Sequence, residues 1–441
     1  MESPKQKRRQ EMNGNAIKVV LWGDTVGYLT WDSSDWRTET AVFRFSEDFL
    51  DRGLDISPLR MPLNSILVQS HQNIRGTSPK SRFGGLPPVF ADSLPDHWGN
   101  SIFRKWAESH KISLAKVTSV DLLSFIGKRA MGALEYEPAF IVDEDKEFGV
   151  NVNELYRFAE SVLSDRNELE FDANHELLWA DLVKLGTSPG GKRPKALIAI
   201  NDSDGSIKSG QALLPEGYSY YILKYDNESE LFPYARLEYA YYRMCCDAGI
   251  TMNHSELRRF DNCAHFITKR FDRTPEGKVH MQSLAALTGG ADSYEEAFDA
   301  IRQLGLDYSD KEQLFRRMVF NVLGGNIDDH DKNISFLMDR QGRWSLAPAY
   351  DMVYSIAPDS LSFQKGQSMS IKGRGIGIRE KDIMTIAREN DINNPAGIIS
   401  QVLDTVSNFR SYCEEVGINK ATCDIMQKEL NEKYSSFRSS E

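Results

Sequence analysis

A short acidic segment in the C-terminal half of the chain holds the residues best suited to chemistry. Four residues separate Asp328 from Asn333, and Asp351 follows eighteen residues after Asn333. Protein kinases place an Asp and an Asn at this spacing in their catalytic loop, where the Asp orients the acceptor hydroxyl and the Asn holds Mg²⁺. Because Mg²⁺ prefers oxygen ligands, the pattern predicts Asn333 and Asp351 as metal ligands and Asp328 as the catalytic base.

The neighbours of these residues are expected to have structural roles. We expect His330 to hold the loop through a backbone hydrogen bond, and Asp329 and Asp331 to face solvent. Taken alone, a run of Asp and Asn is typical of a turn or a helix cap, since these side chains hydrogen-bond nearby backbone. The helical apolar run at 314–323 and the later Asp351 favour the catalytic interpretation.

A run with paired glycines precedes a predicted strand and has the composition of a phosphate loop. It extends from Thr187 to Lys195 and includes Gly190 and Gly191 among hydroxyls and cations. Glycines allow backbone N–H groups to approach a phosphate, and cations neutralise it. The run lacks the order of a P-loop motif, and by itself it is also typical of a surface loop. Beside a catalytic segment, it predicts that Gly190, Gly191 and Lys195 contact ATP phosphates.

Two further places could bind the nucleotide. Lys224 ends a predicted strand, from which its ammonium can reach phosphates, and such a Lys needs a carboxylate to orient it. Glu238, in the following predicted helix, is the candidate, although a helical Glu is commonly just solvated. The segment at 266–271 begins with apolar residues and continues with charged ones. We expect Lys269 and Phe271 to line an adenine site. A place in the hydrophobic core is the alternative for Phe271.

The elements that position these residues follow from hydrophobic periodicity and turn residues. Predicted strands lie at 17–22, 26–31, 41–45, 196–200 and 218–224, and predicted helices lie at 98–109, 121–125 and 235–248. We expect Gly249 to end the last of these helices. Two short strands at 334–338 and 344–346, separated by a turn that contains Gly342, predict a hairpin that carries Asp351 back to the acidic segment.

Length and composition limit the class of protein. A chain of 441 residues predicts two or three domains, which we place at 16–145, 146–278 and 279–441, after a basic disordered tail at 1–15. With 41% hydrophobic residues and no apolar run near the roughly 18 residues of a membrane span, the chain is expected to be soluble and to contact no membrane. The net charge of −11 argues against extensive nucleic-acid binding by this chain alone.

Cysteine usage predicts a reducing compartment. The chain has five cysteines, two of them adjacent, and none forms a Cys-x-x-Cys pair with zinc-ligand spacing. Reduced thiols are typical of cytoplasmic proteins, where disulfides are rare. We therefore predict a cytoplasmic protein without structural zinc.

Four motifs in order resemble the HipA family, the serine/threonine kinase toxins of type II toxin–antitoxin modules. They lie at 188–195, 269–273, 328–333 and 350–351. The resemblance covers about 17–140, as the family's N-terminal domain, and about 180–410, as its kinase core. It implies an α+β, bilobal kinase fold distantly similar to phosphoinositide kinases, with a mainly helical C-terminal lobe. It also implies ATP and Mg²⁺ as cofactors, and a HipB-like helix-turn-helix antitoxin that binds the toxin and operator DNA.

The resemblance also implies roles for single residues. Asp328 matches the catalytic Asp, Asn333 and Asp351 match the Mg²⁺ ligands, and Lys224 matches the phosphate-binding Lys. The family's protein substrates include aminoacyl-tRNA synthetases, which makes one of these a candidate target.

A loop serine of the family is autophosphorylated, and Ser188 falls at its position, with Thr187 as the adjacent alternative. Phosphorylation adds about −1.5 to −2 charges, so a modified loop could no longer hold the nucleotide. Two departures from the best-known relative, Asp329 in place of Gly and Lys269 in place of an acidic residue, mean that the choice of target does not transfer.

Three other functions remain open on sequence grounds. The first is a kinase with a small-molecule acceptor. The second is a co-repressor that holds an antitoxin on DNA with a degenerate kinase site. The intact set of Asp328, Asn333, Asp351 and Lys224 argues against such degeneracy. The third is a metal-dependent phosphohydrolase, suggested by adjacent His330 and Asp331, but the nearest upstream His is His280 and it has no paired acid.

Overall fold

The computed structural model divides into two compact units. It describes residues 16–35, 37–139, 152, 194–210, 214–226, 233–260, 263–355 and 366–438. The first unit contains the chain up to residue 224 together with 272–282 and 338–343. The second unit contains residues 225–271, 283–337 and 344–441.

Short strands and helices alternate along the chain. The strands in the described ranges are β1 (Ile17–Leu21), β2 (Asp24–Asp32), β3 (Thr40–Phe45), β4 (Ile74–Arg75), β5 (Leu134–Glu137), β6 (Lys195–Asn201), β7 (Ile207–Ser209), β8 (Tyr218–Lys224), β9 (Ser255–Phe260), β10 (Cys263–Lys269), β11 (Arg273–Thr274), β12 (Gly277–Lys278), β13 (His280–Ser283), β14 (Ser335–Met338) and β15 (Trp344–Leu346).

The α-helices in the same ranges are α1 (Glu47–Asp51), α2 (Ile66–Gln69), α3 (Pro88–Ala91), α4 (His97–Ser109), α5 (Ser119–Ile126), α6 (Tyr234–Asp247), α7 (Leu284–Thr288), α8 (Tyr294–Gln303), α9 (Tyr308–Leu323), α10 (Glu380–Glu389), α11 (Pro395–Ser407), α12 (Phe409–Glu415) and α13 (Lys420–Arg438). No helix among them is long and apolar enough to cross a membrane. The strands and helices predicted from the sequence are confirmed, with ends that differ by a few residues.

An antiparallel sheet of five strands opens the first unit. Its order is β4-β3-β2-β1-β5, and Ile17 of β1 lies opposite Leu29 of β2. Alternate residues of a strand point to the same face, so Phe43 and Phe45 of β3 lie side by side, with ring centroids 4.8 Å apart. Phe90 of α3 covers them at 4.7 Å from Phe43, which closes the core on this face of the sheet.

A second antiparallel sheet region in the first unit carries two of the predicted phosphate ligands. Strand β6 pairs with β7 on one side and with β8 on the other. Six of the seven residues of β6 are buried, a pattern typical of a strand with both faces covered. The register places Lys195 at the start of β6 directly opposite Lys224 at the end of β8.

The second unit is mainly helical, with the antiparallel β9–β10 hairpin after its first helix, α6. Tyr241 of α6 lies 5.9 Å from Phe320 of α9 and 6.0 Å from Phe409 of α12, measured between ring centroids. Helix α6 ends before Gly249, whose φ of +75° is the left-handed geometry that glycine adopts easily. The predicted helix end is therefore confirmed, and this helical core supports the segment that follows α9.

Candidate active site

Asp328 and Asn333 lie between α9 and β14, in residues 324–334, which form the catalytic segment. Asn326 joins this segment to its surroundings. The Nδ2 atom of Asn326 donates a hydrogen bond to Oδ1 of Asn321, in the last turn of α9, at 3.0 Å. It also donates to the carbonyl oxygen of Asp351 at 3.3 Å. Tyr241 reaches the start of the segment from α6, because its hydroxyl donates to the carbonyl of Gly324 at 2.6 Å. The side chain of Asn326 thus joins the segment both to α9 and to the chain at Asp351.

Asp328 is held by its backbone and exposes its side chain. Its N–H donates to Oγ of Ser355 at 3.0 Å, and its carbonyl oxygen accepts a hydrogen bond from Nδ2 of Asn333 at 2.8 Å. The residue itself is exposed. A carboxylate on a fixed backbone and in contact with solvent is accessible to an incoming hydroxyl, as the catalytic role requires.

Asn333 ends a short 3₁₀ turn that begins at Asp331. Its N–H donates to the carbonyl oxygen of His330 at 2.8 Å, while its Nδ2 is bonded to the Asp328 carbonyl. These contacts orient the side-chain amide of Asn333. Oδ1 is then the side-chain atom with the chemistry to bind a hard metal ion.

Asp351 has an unusual backbone conformation. Its φ is +53°, in the left-handed region that residues other than glycine enter rarely, with Asp and Asn the most tolerant. Tyr350 fixes the preceding position, because its hydroxyl donates to the carbonyl of Lys332 at 2.7 Å and lies 2.5 Å from Oγ of Ser335. The hairpin therefore returns Asp351 to the catalytic segment, as predicted, where its carbonyl accepts the hydrogen bond from Asn326.

Asp329 is buried, and the prediction that it faces solvent is wrong. It is only 2% exposed. Its carboxylate accepts hydrogen bonds from Tyr294 Oη at 2.8 Å, Gln367 Nε2 at 3.0 Å and Ser368 N at 2.8 Å. A buried carboxylate is stable only when it is hydrogen-bonded, and burial still raises the pKa of Asp329 to about 6. Asp329 therefore joins the catalytic segment to α8 and to the chain at 367–368.

Asp331 also supports the segment, and His330 contacts it through its backbone carbonyl. Asp331 is 2% exposed, so the prediction that it faces solvent is wrong as well, and its Oδ2 accepts a hydrogen bond from Ala291 N–H at 3.0 Å. The carbonyl of His330 makes the expected backbone hydrogen bond, to Asn333. Its buried Nδ1 has no hydrogen-bond partner within the described part of the chain. The supporting role of His330 stays a prediction.

Lys195 is buried in an ion pair in the first unit. Its side chain is 3% exposed, and its Nζ lies 3.4 Å from Oδ2 of Asp96. Burial raises the pKa of Asp96, and the positive charge of Lys195 opposes that rise. The carbonyl of Lys195 accepts a hydrogen bond from Nε1 of Trp98 at 3.0 Å. These contacts fix the start of β6, and they do not favour the predicted contact with ATP phosphates.

Lys224 and Glu238 lie in different units. Lys224 is half-buried at the end of β8 in the first unit, and Glu238 is half-buried near the start of α6 in the second. Both occupy the predicted strand and helix. The pairing of Lys224 with Glu238 stays a prediction.

The predicted adenine residues sit at the end of β10. Lys269 is exposed, its N–H donates to the carbonyl of His254 at 2.8 Å, and its carbonyl accepts a hydrogen bond from Nδ2 of Asn253 at 3.0 Å. The ring centroid of Phe271 lies 5.6 Å from that of Tyr350. Phe271 therefore packs beside the residue that precedes Asp351, while the adenine contacts of Lys269 and Phe271 stay predictions.

Two domain models match most of the chain. A model of the HipA N-terminal domain matches residues 17–137, and a model of the HipA-like C-terminal domain matches residues 187–430. This protein belongs to the HipA family. The resemblance inferred from four motifs is thereby confirmed.

Similar proteins include relatives named as kinases in two bacteria. The HipA-family chain is 23% identical over 437 residues to "Putative kinase Y4mE" from Sinorhizobium fredii, which covers 91% of this chain and 94% of that relative. It is 28% identical over 158 residues to "Putative kinase Y4dM" from the same organism, where the match spans only 37% of the relative. A "Putative kinase" of Haemophilus influenzae is 25% identical over 287 residues, or 60% of this chain.

A solved structure shows the fold. It is the HipA chain in a structure of the Shewanella oneidensis MR-1 toxin–antitoxin system of HipA, HipB and operator DNA. The TM-score is 0.65 at 16% sequence identity, with 96% of this chain and 97% of that chain covered. The predicted fold class, an α+β, bilobal kinase-like fold, is confirmed by this likeness.

The donor set of this HipA-family protein fits a metal held by few protein ligands. Within the described ranges, no cluster of three or more His, Cys, Asp or Glu side chains could hold an ion. The pair predicted here is one amide oxygen, on Asn333, and one carboxylate, on Asp351. Mg²⁺ is commonly bound by one or two such groups, with phosphate oxygens and waters completing the shell. The predicted loop residues Thr187, Ser188, Gly190 and Gly191 lie outside the described residues.

Several supporting residues were not found by sequence reasoning. Asn326, Tyr294, Ser355 and Gln367 hold the catalytic segment by the hydrogen bonds given above. Asn326 had a local signal, since it follows two glycines just before the acidic run. The other three are polar residues at a distance in sequence, and only the fold brings them to the segment.

Proposed function

We propose that this HipA-family protein is an ATP- and Mg²⁺-dependent serine/threonine protein kinase, and the toxin of a toxin–antitoxin module. The observation that carries the proposal is the set of hydrogen bonds that orders the segment of Asp328 and Asn333 and joins it to Asp351, within the second unit. Relatives named as kinases and the family membership support it.

In this proposal, Asp328 acts on the acceptor hydroxyl. The hydroxyl oxygen attacks the γ-phosphorus of ATP, its proton passes to the Asp328 carboxylate, and the bond from the γ-phosphorus to the bridging oxygen breaks to release ADP. Asn333 Oδ1 and the Asp351 carboxylate would hold Mg²⁺, which, when bound, neutralises the charge that develops on the phosphate oxygens. The buried contacts of Asp329 and Asp331 keep these groups in place.

The remaining predicted residues would bind the nucleotide. Lys224 would contact the phosphates, oriented by Glu238, and Gly190 and Gly191 would offer backbone N–H groups to them. Lys269 and Phe271 would lie at the adenine. For Lys195 we propose that the Asp96 pair is retained, so that it supports Lys224 through the sheet and does not touch ATP directly.

The proposed partner is a helix-turn-helix antitoxin like HipB. The solved relative is a HipA in a structure with HipB and operator DNA, and the net charge of −11 on this chain favours DNA contact mainly through the antitoxin. We propose a protein substrate in translation, an aminoacyl-tRNA synthetase as the first candidate. We also propose that autophosphorylation at Ser188 or Thr187 limits the activity.

The direct test replaces Asp328 with Asn. Loss of a positioned general base lowers a rate by about 10²–10⁴-fold, so Asp328→Asn should abolish growth arrest and remove the phosphate adduct from the intact mass of the protein. Asp404→Asn, an exposed Asp on α11, is the matched control and should behave as the native chain. Undiminished phosphate transfer by Asp328→Asn would overturn the assignment.

The phosphorylated products distinguish a protein acceptor from a small-molecule acceptor. Phosphoproteomics after induction should reveal new phosphoserine or phosphothreonine on a host protein in the native strain and none in Asp328→Asn. Modification confined to the chain's own loop, with ATP still consumed, would indicate a metabolite kinase instead.

A further inference from the structure

The second unit contains a cavity that the proposed kinase chemistry does not use. Its volume is about 240 Å³, and α13 forms one wall with Glu429, Lys433 and Phe437. Val322 and Ile378 add apolar surface from other parts of the unit, and these two residues and Phe437 are all buried. Pockets for drug-sized ligands span roughly 300–1,000 Å³, so this cavity suits a small metabolite.

Glu429 and Lys433 are placed to form an ion pair and do not form one. A Glu four residues before a Lys on a helix is the favourable orientation for such a pair. Within the described part of the chain, Oε2 of Glu429 is buried without a hydrogen-bond partner, and Lys433 takes part in no ion pair there. Glu429 is 7% exposed. A buried carboxylate oxygen without a partner is unfavourable unless a ligand or water satisfies it.

Both charges are destabilised in their present surroundings. Burial raises the pKa of Glu429 to about 7, with the charge of Glu432 adding to the rise. Burial lowers the pKa of Lys433 to about 8, against the opposing charges of Asp329 and Glu429. Each group is therefore shifted towards its neutral form, because the opposite charges nearby do not offset the cost of burial. A ligand that supplied both counter-charges would reverse both shifts.

The geometry points to a small zwitterion with an apolar side chain, an apolar α-amino acid, as the ligand of this cavity. Its ammonium pairs with the carboxylate of Glu429, and its carboxylate pairs with the ammonium of Lys433. Its side chain packs against Val322 and Phe437. A simple anion would leave the Glu429 carboxylate opposed, and a simple cation would leave the Lys433 ammonium opposed, so a ligand with both charges fits best.

The rim of the cavity gives a further reason for an apolar side chain. Ile376 lines the cavity but is 61% exposed, in a loop between Gly375 and Gly377. A ligand side chain in the cavity would cover part of this apolar surface, which is favourable in water.

The cavity also adjoins the catalytic segment. Ile327, immediately before Asp328, lines it. Gln367 lines it too, and its Nε2 donates to the carbonyl of Asn326 at 2.8 Å and to Asp329 at 3.0 Å. A bound amino acid would therefore stiffen the residues that hold Asp328. Any effect of that stiffening on kinase activity rests on the proposed function, whereas the binding of the amino acid does not.

The experiment is calorimetric titration of the full chain with L-leucine and with L-methionine as probes. At least one of them should bind. Two analogues then each lack one charge of leucine: 4-methylpentanoate has no ammonium and 3-methylbutylamine has no carboxylate. Because a hydrogen bond to a charged group contributes about 1.5–3 kcal/mol, each analogue should bind at least about tenfold more weakly. Failure of both amino acids to bind, or equal binding of the analogues, would overturn the proposal.

Variants locate the site on α13. Glu429→Gln and Lys433→Met should each raise the Kd for the bound amino acid at least about tenfold, since each removes one charge-assisted contact. Lys428→Met, on the exposed face of the same helix, should leave the Kd unchanged. Native-like circular dichroism of the variants is the folding control, and the analogue titrations need no variant at all. Unchanged binding by Glu429→Gln and Lys433→Met would place the ligand elsewhere and overturn this site.

Discussion

Two regions of the molecule differ in whether their charged side chains are exposed. These regions are the catalytic segment of the second unit and the paired strands β6 and β8 of the first unit. In the catalytic segment, Ser355 and Asn333 bind the backbone of Asp328 and leave its carboxylate exposed. In the strands, the ammonium of Lys195 is itself the bonded group, buried against Asp96. A charge is available for chemistry in the first arrangement and serves stability in the second. The sequence predicted a role in phosphate transfer for both Asp328 and Lys195.

The same contrast occurs between two adjacent residues. Asp328 is exposed, while the Asp329 carboxylate is buried and accepts three hydrogen bonds. One peptide bond separates a side chain open to substrate from one that anchors the loop. The difference suggests that stability and activity can be separated by substitution.

The largest expected effect is the loss of the buried ion pair. Lys195→Met leaves the Asp96 carboxylate buried without its partner, which should lower the free energy of unfolding by about 3–5 kcal/mol. Urea unfolding followed by circular dichroism measures it. Lys116→Met, at an exposed lysine of the same unit, should stay within about 0.5 kcal/mol of the native chain. Unchanged stability together with a raised KM for ATP would make Lys195 a phosphate ligand and remove the contrast.

A somewhat smaller effect is expected from the anchor beside the catalytic residue. Asp329→Ala leaves the donors on Tyr294, Gln367 and Ser368 without their acceptor, which should lower the free energy of unfolding by on the order of 3 kcal/mol. Asp328→Ala, its exposed neighbour, should change stability by less than about 0.5 kcal/mol while abolishing phosphate transfer. Equal stability of the two variants would contradict the distinct roles assigned to them.

The smallest effect is a pH dependence from Asp329. Its pKa is about 6 in the folded chain and about 3.9 for an unfolded Asp. The folded state therefore binds more protons between these values, so stability is full below about pH 4 and falls as the pH rises through 6. The whole shift corresponds to a loss of roughly 2.9 kcal/mol, of which about 2 kcal/mol falls between pH 4.5 and 7.

Unfolding curves of the native chain and of Asp329→Asn at pH 4.5 and 7 isolate this contribution. The native chain should lose more stability over this range than the variant, because the amide does not titrate. Parallel losses in both proteins would show that Asp329 keeps an ordinary pKa and is not desolvated as its burial indicates.

Local patterns were sufficient to predict much of the molecule. The apolar spacing at 314–323, the alternation at 218–224 and the turn at Gly342 identified α9, β8 and the β14–β15 hairpin, because periodicity and turn chemistry act between near neighbours in the chain. The return of Asp351 towards Asp328 followed from that hairpin. Burial was harder to predict: Asp329 and Asp331 were expected in solvent because acidic residues in a turn usually lie there.

By itself, the sequence determined the family, the order of the elements and the spacing of Asp328, Asn333 and Asp351, since each depends on residues close together or on motifs in order. The tertiary structure alone decided which charges are available. Asp329 is buried because Tyr294 and Gln367, 35 and 38 residues away, supply its hydrogen bonds. Lys195 is withdrawn from solvent because Asp96, 99 residues away, is its partner. Desolvation and pairing depend on such distant neighbours, and no local pattern contains them.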